Sequence, residues 1–406
     1  MTKRIGILTG GGDVQALNTV LASAKNEAQA QNLELIGFIK GWEGVLEGNF
    51  LDLSKQRFDH AIGGTFLKSS RININKVENG GKQVVKNLEK LGISGLIVVG
   101  GEDTLSNSFS IISFPQVLIS KTIDNDVGSI KDGFNREEFV PDKIINFFTL
   151  GFPTAAEKII SFVSLKEGLR TTAYSHERII VVESMGMHTG WLALSSGLGY
   201  PDFIIIPEFP LDYERFLEDV IKAYAGQRHL IIVVAEGAKW ADGSYIYAEK
   251  DESEDFSHPR FGGAANALKT QLKVDLAKYL NPRNINAVNP SYLYRAGAPN
   301  ALDQYWSQSL GEKAVRLLAE GIKETRFLSI QWEKGRFVTK DIPLSQLKSM
   351  DELHRFVDDR LYDREAFHIT ESGKKYMKEI LKEIPLEKSY GISGFCQGGK
   401  NNLGAL

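Results

Sequence analysis

Short runs of apolar residues alternate with longer amphipathic stretches along most of the 406-residue chain. The short runs are rich in valine and isoleucine, and glycine, proline or an acidic residue closely follows several of them. Strands of a parallel sheet have this pattern because helices cover both of their faces. The sequence therefore predicts doubly wound α/β domains with right-handed crossovers. The predicted strands are residues 5–8, 35–39, 96–99, 117–119, 179–182, 203–206 and 230–234, and the predicted helices include residues 17–31, 81–91, 211–226 and 304–320.

Size and composition narrow the class of protein. Two or more domains are expected because single hydrophobic cores stop growing at about 250–300 residues. The formal net charge of −3 gives no electrostatic reason to expect nucleic acid or an acidic membrane as a partner. The single cysteine, Cys396, excludes an internal disulfide and fits no metal site. Because cysteine is nearly absent, we expect a cytoplasmic protein in a reducing compartment. No apolar segment approaches the ~20 residues of a membrane span, and the sequence predicts no signal peptide.

Glycine-rich turns follow two of the predicted strands, at the end of the sheet where α/β domains bind ligands. Gly10-Gly11-Gly12 allows backbone amides to approach a phosphate at a helix N-terminus. Gly100-Gly101-Glu102-Asp103-Thr104 adds two carboxylates, which are suitable ligands for Mg²⁺ bridging to phosphate oxygens. The alternatives are a tight strand-to-helix turn for the first motif and acidic residues in a helical first turn for the second.

The stretch Lys121-Thr122-Ile123-Asp124-Asn125-Asp126 is the most specific motif of the sequence. Two carboxylates two residues apart, with a lysine before them, suit phosphoryl transfer. One aspartate can accept a hydroxyl proton, the other can help to hold a metal, and the lysine can neutralise phosphate charge. A turn rich in Asp and Asn is the alternative explanation.

The order of these motifs resembles the phosphofructokinase family, over roughly residues 3–325. The resemblance rests on Thr122-Ile123-Asp124-Asn125-Asp126 together with the two earlier glycine turns. The other matching segments are Gly63-Gly64-Thr65-Phe66-Leu67-x-Ser69-x-Arg71, Thr149-Leu150-Gly151-Phe152-x-Thr154-Ala155, Arg178, Met185-Gly186-x-x-x-Gly190-Trp191, Pro207-Glu208, Ala235-Glu236-Gly237 and Pro290-Ser291-Tyr292-Leu293-x-Arg295.

The resemblance implies two doubly wound α/β domains with the active site in the cleft between them. Residues 1–150, with a return segment near 289–345, would form the phosphate-donor and metal domain, and residues 151–288 the sugar-phosphate domain. Residues 346–406 would form a polar C-terminal extension. The sequence pattern itself predicts helix-like pieces around residues 344–361 and 371–384. The resemblance also implies a homodimer or homotetramer with small-molecule substrates.

Roles for individual residues are likewise implied by the resemblance. Asp124 would be the base for the sugar 1-hydroxyl, Asp126 would support the metal and the reacting phosphate, and Glu102 stands where the family usually has its Mg²⁺-binding aspartate. The implied donor-binding residues are Gly11, Gly12, Arg71, Asp103, Thr104 and Lys121, with Lys121 and Thr122 also placed among the catalytic residues. The implied substrate-binding residues are Thr122, Asp124, Asp126, Arg178, Met185, Gly186, Glu236, Tyr292 and Arg295.

Two positions bear on the phosphoryl donor. Members that use ATP generally have glycine at the positions of Asp103 and Lys121, whereas members that use pyrophosphate have aspartate and lysine. A carboxylate ~4 Å from the α-phosphate of ATP would cost ~1 kcal/mol in water and ~4 kcal/mol at an effective dielectric of 20. The resemblance thus predicts Mg²⁺-dependent, reversible transfer from pyrophosphate to fructose 6-phosphate.

Three departures from the family pattern keep alternatives open. Gln15-Ala16 replaces the usual Pro-Gly, and Met187 replaces an arginine expected at the transferred phosphate. The third departure is the polar stretch 128–146, which is longer than in the short bacterial enzymes and suggests a lid or a subunit contact. The alternatives are an ATP-dependent 6-phosphofructokinase, a kinase of another sugar phosphate such as sedoheptulose 7-phosphate, and a catalytically weak regulatory subunit.

Overall fold

The computed structural model describes residues 3–130, 136, 139–247, 263–346 and 350–384. In chain order, strands β1 to β16 are Arg4–Thr9, Glu34–Phe38, Phe50–Asp52, Ile93–Gly100, Gln116–Thr122, Ser129–Ile130, Ile144–Ile145, Leu150–Gly151, Ile179–Ser184, Phe203–Ile205, Leu230–Ala235, Ile285–Val288, Arg326–Glu333, Arg336–Pro343, Tyr362–Asp363 and His368–Ile369. Helices α1 to α11 are Leu17–Ala30, Trp42–Glu47, Gly80–Lys90, Glu102–Ser106, Phe152–Val163, Arg170–Ser175, Trp191–Ser195, Tyr213–Gln227, Ala264–Asp275, Ala301–Glu320 and Glu371–Ile380.

The chain divides into two compact units, both of α/β architecture. Unit 1 comprises residues 1–133, 140–154 and 295–355, and unit 2 comprises residues 134–139, 155–294 and 356–406. Residues 346–406, expected from the sequence as one C-terminal extension, are therefore divided between the two units after residue 355.

Unit 1 is built on one large sheet with the strand order β14-β13-β5-β4-β1-β2-β3, and β8 pairs with β5. The central pairings β2/β1, β1/β4, β4/β5 and β5/β13 are parallel, while β3 and β14 are antiparallel to their neighbours. In β4 seven of the eight side chains are buried, as expected for a strand with helices on both faces. The core of this unit includes Leu8, Val98 and Leu118 from the three central strands, each fully buried.

Unit 2 is built on a smaller, fully parallel sheet with the strand order β10-β11-β9-β12. All six side chains of β11 and all six of β9 are buried. Each buried valine, leucine or isoleucine side chain contributes about 1.5–3 kcal/mol relative to an exposed one. These runs therefore explain why β9 and β11 occupy the centre of the sheet.

The seven predicted strands and the four predicted helices are confirmed, with boundaries shifted by up to three residues. The helix expected at 371–384 is confirmed as α11, whereas the one expected at 344–361 is wrong. Only the short 3₁₀ turns Leu344–Gln346 and Met350–Leu353 are described there. Of the stretch 128–146, residues 131–135, 137 and 138 lie outside the described residues, as does Cys396. No helix among the described residues is long and apolar enough to cross a membrane.

Candidate active site

The first glycine turn follows β1 in unit 1 and leaves no room for side chains. A Cβ atom on Gly10 would lie 2.7 Å from the Thr104 side chain, and one on Gly12 would lie 2.3 Å from Nη1 of Arg295. Gly11 has φ +77°, a left-handed conformation that glycine adopts without a steric penalty. The Gly11 N–H donates to the Ser70 carbonyl at 3.1 Å, so this amide is used within the protein.

Lys121 lies at the end of β5, where it is buried against the glycine turn with 2% of its surface exposed. Its Nζ donates to the Gly12 carbonyl at 2.5 Å. Burial, with repulsion from Arg295 as the next cause, lowers the pKa of Lys121 to about 7, although Asp13, Asp124 and Asp126 act in the opposite direction. An amine held in this way gains most from an anion, because a phosphate oxygen would restore the charged form.

A second segment, residues 65–71, lies alongside the same turn. The Ser69 hydroxyl donates to the Gly11 carbonyl at 2.5 Å, and the hydroxyls of Thr9 and Thr65 are 2.8 Å apart. Arg71 at the end of this segment is exposed. The exposed Arg71 therefore follows, two residues later, a serine that is hydrogen-bonded to the glycine turn.

The second glycine turn leads from β4 into the short helix α4. Glu102 and Asp103 occupy the first turn of this helix, and the capping residue Gly101 provides no side-chain hydrogen bond. Glu102 is half-buried and Asp103 is exposed, while Thr104 is buried beneath Gly10. The helical first turn expected as the alternative explanation for these acids is thus present, and it leaves the Asp103 side chain accessible.

The Asp-Asn-Asp turn after β5 is held by several hydrogen bonds. Thr122 Oγ1 accepts a hydrogen bond from the Asp124 N–H at 3.1 Å. Asn125 is fully buried with φ +54°, and its Oδ1 accepts bonds from the Thr149 N–H at 3.1 Å and from Arg355 Nη2 at 2.7 Å. These bonds explain the asparagine between the two aspartates, because it fixes the turn that presents them.

Asp126 is half-buried and presents one buried, unsatisfied oxygen. Among the described residues, no donor reaches its buried Oδ1 atom. Burial, with repulsion from Asp124 as the next cause, raises the pKa of Asp126 to about 7, against attraction from His354. Ligand atoms of Glu102, Asp126 and His354 all lie within 4.8 Å of one another. Two carboxylates and an imidazole that converge in this way form a candidate site for a divalent cation.

In unit 2 the predicted substrate residues Met185, Gly186 and Glu236 meet beyond the carboxyl ends of β9 and β11. The Gly186 N–H donates to Glu236 Oε1 at 3.0 Å, and Gly186 has φ +129°. The Gly237 N–H donates to the Gly186 carbonyl at 3.2 Å, and a Cβ on Gly237 would collide with the Met187 carbonyl. The two loops therefore form one hydrogen-bonded arrangement with Met185 half-buried at its edge.

Arg178 lies at the other end of β9 from this arrangement. Arg178 precedes the first residue of β9, so a six-residue strand of about 20 Å separates it from Met185. Its Nη1 donates to Thr172 Oγ1 at 2.9 Å. Tyr292 is 69% exposed.

Comparison with known proteins assigns the family. The sequence profile described as phosphofructokinase matches residues 4–134 and 141–318. The chain belongs to the phosphofructokinase family. The pyrophosphate–fructose 6-phosphate 1-phosphotransferase of Dictyoglomus thermophilum is 36% identical over 352 residues, which are 85% of this chain and 94% of that protein. The ATP-dependent 6-phosphofructokinase 3 of Streptomyces coelicolor is 34% identical over 325 residues, which are 78% of this chain and 88% of that protein.

Solved structures share the phosphofructokinase fold. The pyrophosphate-dependent phosphofructokinase of Marinobacter aquaeolei matches with a TM-score of 0.74 at 19% identity, covering 95% of this chain and 94% of that one. As a member of the phosphofructokinase family, the chain is a phosphotransferase.

Two features of this phosphofructokinase were not foreseen from its motifs. Arg295, assigned by resemblance to the sugar phosphate, has its guanidinium against Gly12 in unit 1. His354 joins Glu102 and Asp126, the two acids of the candidate cation site, from a stretch expected to be helical. Nothing in the sequence singles out His354 from the seven histidines of the chain.

Proposed function

We propose that this phosphofructokinase transfers a phosphoryl group reversibly between pyrophosphate and the 1-hydroxyl of fructose 6-phosphate, with Mg²⁺. The observation that carries the choice of donor is the burial of Lys121 against the Gly12 carbonyl. The alternative donor is ATP, which the Streptomyces coelicolor relative uses according to its name.

Charge at two positions favours pyrophosphate. Lys121 would bind the leaving phosphate, whose charge is greater than that of an α-β linkage in ATP. The exposed carboxylate of Asp103, in the first turn of α4, would face the α-phosphate of ATP. Repulsion of ~1 to ~4 kcal/mol would weaken the use of ATP by roughly fivefold to several hundredfold.

The Asp-Asn-Asp turn would supply the proton transfer. Asp124 would accept the proton of the sugar hydroxyl as it attacks the transferred phosphorus, and Thr122, bonded to the Asp124 backbone, would hold that phosphate. Pre-organised cations stabilise the charge that develops on the phosphoryl oxygens, and Lys121 and Arg71 are the candidates in unit 1.

The residues of unit 1 fit a bound Mg²⁺. Mg²⁺ requires hard oxygen ligands, which Glu102 and Asp126 offer, and the buried Oδ1 of Asp126 has no hydrogen-bond donor among the described residues. When bound, the ion would neutralise charge on the pyrophosphate oxygens.

Unit 2 would bind the sugar phosphate through Met185, Gly186, Glu236 and Tyr292. Because Arg178 lies at the amino end of β9, away from this group, we propose that it serves a neighbouring copy of the chain. The active form would then be a homodimer or homotetramer.

A coupled assay tests the function directly. Purified protein is supplied with fructose 6-phosphate and Mg²⁺, and with either pyrophosphate or ATP. We expect turnover with pyrophosphate that exceeds turnover with ATP. Turnover with ATP alone would reject the donor assignment. No turnover with either donor would favour another acceptor, such as a seven-carbon ketose phosphate, or a regulatory subunit with Met187 in place of the expected arginine.

A further inference from the structure

His354 is positioned by the same loop that carries Asp126. Residue 354 pairs with Val127 in an antiparallel bridge. On either side of it, the Gly128 N–H donates to the Leu353 carbonyl at 2.5 Å and the Arg355 N–H donates to the Asp126 carbonyl at 2.8 Å. The backbone at His354 is thus fixed directly against the backbone of the Asp126 loop.

The neighbours of His354 are anchored in the interior of unit 1. Leu353 is 1% exposed and belongs to its hydrophobic core. Arg355 is 2% exposed and donates to the carbonyls of Asn125, Asn146 and Phe147 at 2.8, 3.0 and 3.3 Å. A histidine flanked by two buried anchors has little freedom to leave its position.

The imidazole lies at the acids rather than in solvent. Its Nδ1 is 2.7 Å from Glu102 Oε2, and the two side chains are only 16% and 28% exposed. Adjacent ligands of one octahedral ion at about 2.1 Å lie about 3 Å apart, and opposite ones about 4.2 Å apart. The mutual distances within 4.8 Å among Glu102, Asp126 and His354 therefore need only small adjustments to surround one ion. The Oδ1 atom of Asp126 is buried and has no donor among the described residues, so a cation at this position would satisfy it.

We propose that His354 is a third protein ligand of the metal site, so that it adds more to the affinity for Mn²⁺ or Co²⁺ than to the affinity for Mg²⁺. Imidazole nitrogen is a good ligand for first-row transition metals, whereas Mg²⁺ selects oxygen and keeps several waters. This inference rests on the proposed function only in that the bound ion would take part in phosphoryl transfer. Binding of the ion itself requires no substrate.

Electron paramagnetic resonance of Mn²⁺ bound to the full-length protein tests the proposal without pyrophosphate or sugar phosphate. We expect one bound Mn²⁺ whose spin-echo modulation shows coupling to ¹⁴N, which is direct evidence of imidazole ligation. In His354→Asn this coupling should disappear, and the affinity for Mn²⁺ should fall by about tenfold or more. Mg²⁺, measured by competition, should lose roughly threefold or less because water replaces the lost nitrogen.

Matched variants keep the test interpretable. His60→Asn removes an exposed histidine of unit 1 and should leave the ¹⁴N coupling unchanged. Glu102→Gln should weaken both Mn²⁺ and Mg²⁺, and a thermal melt of each variant excludes unfolding. Bound Mn²⁺ without ¹⁴N coupling, coupling retained in His354→Asn, or no Mn²⁺ binding by the substrate-free protein would each overturn the proposal. Because no turnover is measured, these results are independent of whether the donor assay succeeds.

Discussion

Both units place acidic or basic side chains beyond the carboxyl ends of their central strands, but they satisfy those charges differently. In unit 2, Glu183 at the end of β9 is 2% exposed and accepts hydrogen bonds from the Gly263 and Ala265 N–H groups and from Asn289 Nδ2 at 2.9, 2.9 and 2.6 Å. In unit 1, Asp126 keeps a buried oxygen without a donor among the described residues. Glu183 therefore holds loops of unit 2 together, whereas the carboxylate of Asp126 in unit 1 keeps one oxygen available to a ligand.

The same contrast is seen in the pKa values. Burial lowers the pKa of Lys121 and raises that of Asp126, each to about 7. Strongly shifted pKa values of a base and an acid only five positions apart are typical of sites that bind or transform a ligand. Glu183 also has a raised pKa because of burial, but its three donors act against that shift. Chemical function is thus to be sought first in unit 1.

The largest expected effect comes from the proposed base. Asp124→Ala should lower kcat for phosphoryl transfer by roughly 10²–10⁴-fold, because general bases contribute about this factor. The melting temperature should stay within a few degrees of the wild type, since Asp124 is only half-buried. The coupled assay and a thermal melt measure both quantities. Activity within threefold of the wild type would remove Asp124 from the mechanism.

Donor preference should respond to the two charges that distinguish the donors. In the double variant Asp103→Gly, Lys121→Gly, the ratio of kcat/KM for ATP to that for pyrophosphate should rise by roughly fivefold to several hundredfold. Each single variant should give part of the change. An unchanged ratio in the double variant would reject the charge argument while leaving phosphoryl transfer itself intact.

Removing a structural charge in unit 2 should destabilise the protein. Glu183→Gln should lower the free energy of unfolding by about 2–3 kcal/mol, because the amide cannot accept all three of the present hydrogen bonds. Chemical denaturation measures the change. Glu218→Gln is the matched control, since the Glu218 side chain is 72% exposed. If the two variants were equally stable, the structural role assigned to the Glu183 carboxylate would be wrong.

Removing the buried charge of unit 1 should have the opposite sign. At pH 7 Lys121→Met should stabilise the protein by ~1–3 kcal/mol, because the wild type must bury an ammonium group. Between pH 7 and 10.5 the unfolded lysine keeps its proton while the native one loses it, so wild-type stability rises with pH by up to ~1.4 kcal/mol per unit. The advantage of Lys121→Met should therefore shrink by about 2 kcal/mol between pH 7 and 9.

Lys86→Met, at an exposed position of α3, is the control for this pH series. Its stability difference from the wild type should be small and independent of pH. A constant difference for Lys121→Met as well would mean that the native lysine stays protonated throughout, which would contradict its lowered pKa.

Local sequence patterns predicted the parts of the site that depend on local structure. The Val- and Ile-rich runs located β1, β4 and β5, and the residues after them contain Gly12, Glu102 and Lys121, which the structure places in unit 1. Placement of these residues follows from the strand ends alone, because neighbouring parallel strands end at the same edge. Their catalytic roles remain predictions.

Long-range pairing was not predictable in the same way. Residues 344–361 have helix-like composition, yet the bridge between Val127 and His354 places the segment against a loop more than two hundred residues earlier. The position of Arg295 over Gly12 is also a tertiary contact that no spacing encodes. Such contacts depend on the assembled unit and override local propensity.

Arg355 has a consequence for how sites of this kind diverge. The family match ends at residue 318, so a chain could keep every recognisable motif and still lack the guanidinium that gathers the carbonyls of Asn125, Asn146 and Phe147. A chain that retains all the motifs therefore need not retain every residue that shapes the candidate site. A residue outside the family match can thus hold the Asp124–Asp126 turn in place through tertiary contacts that no motif contains.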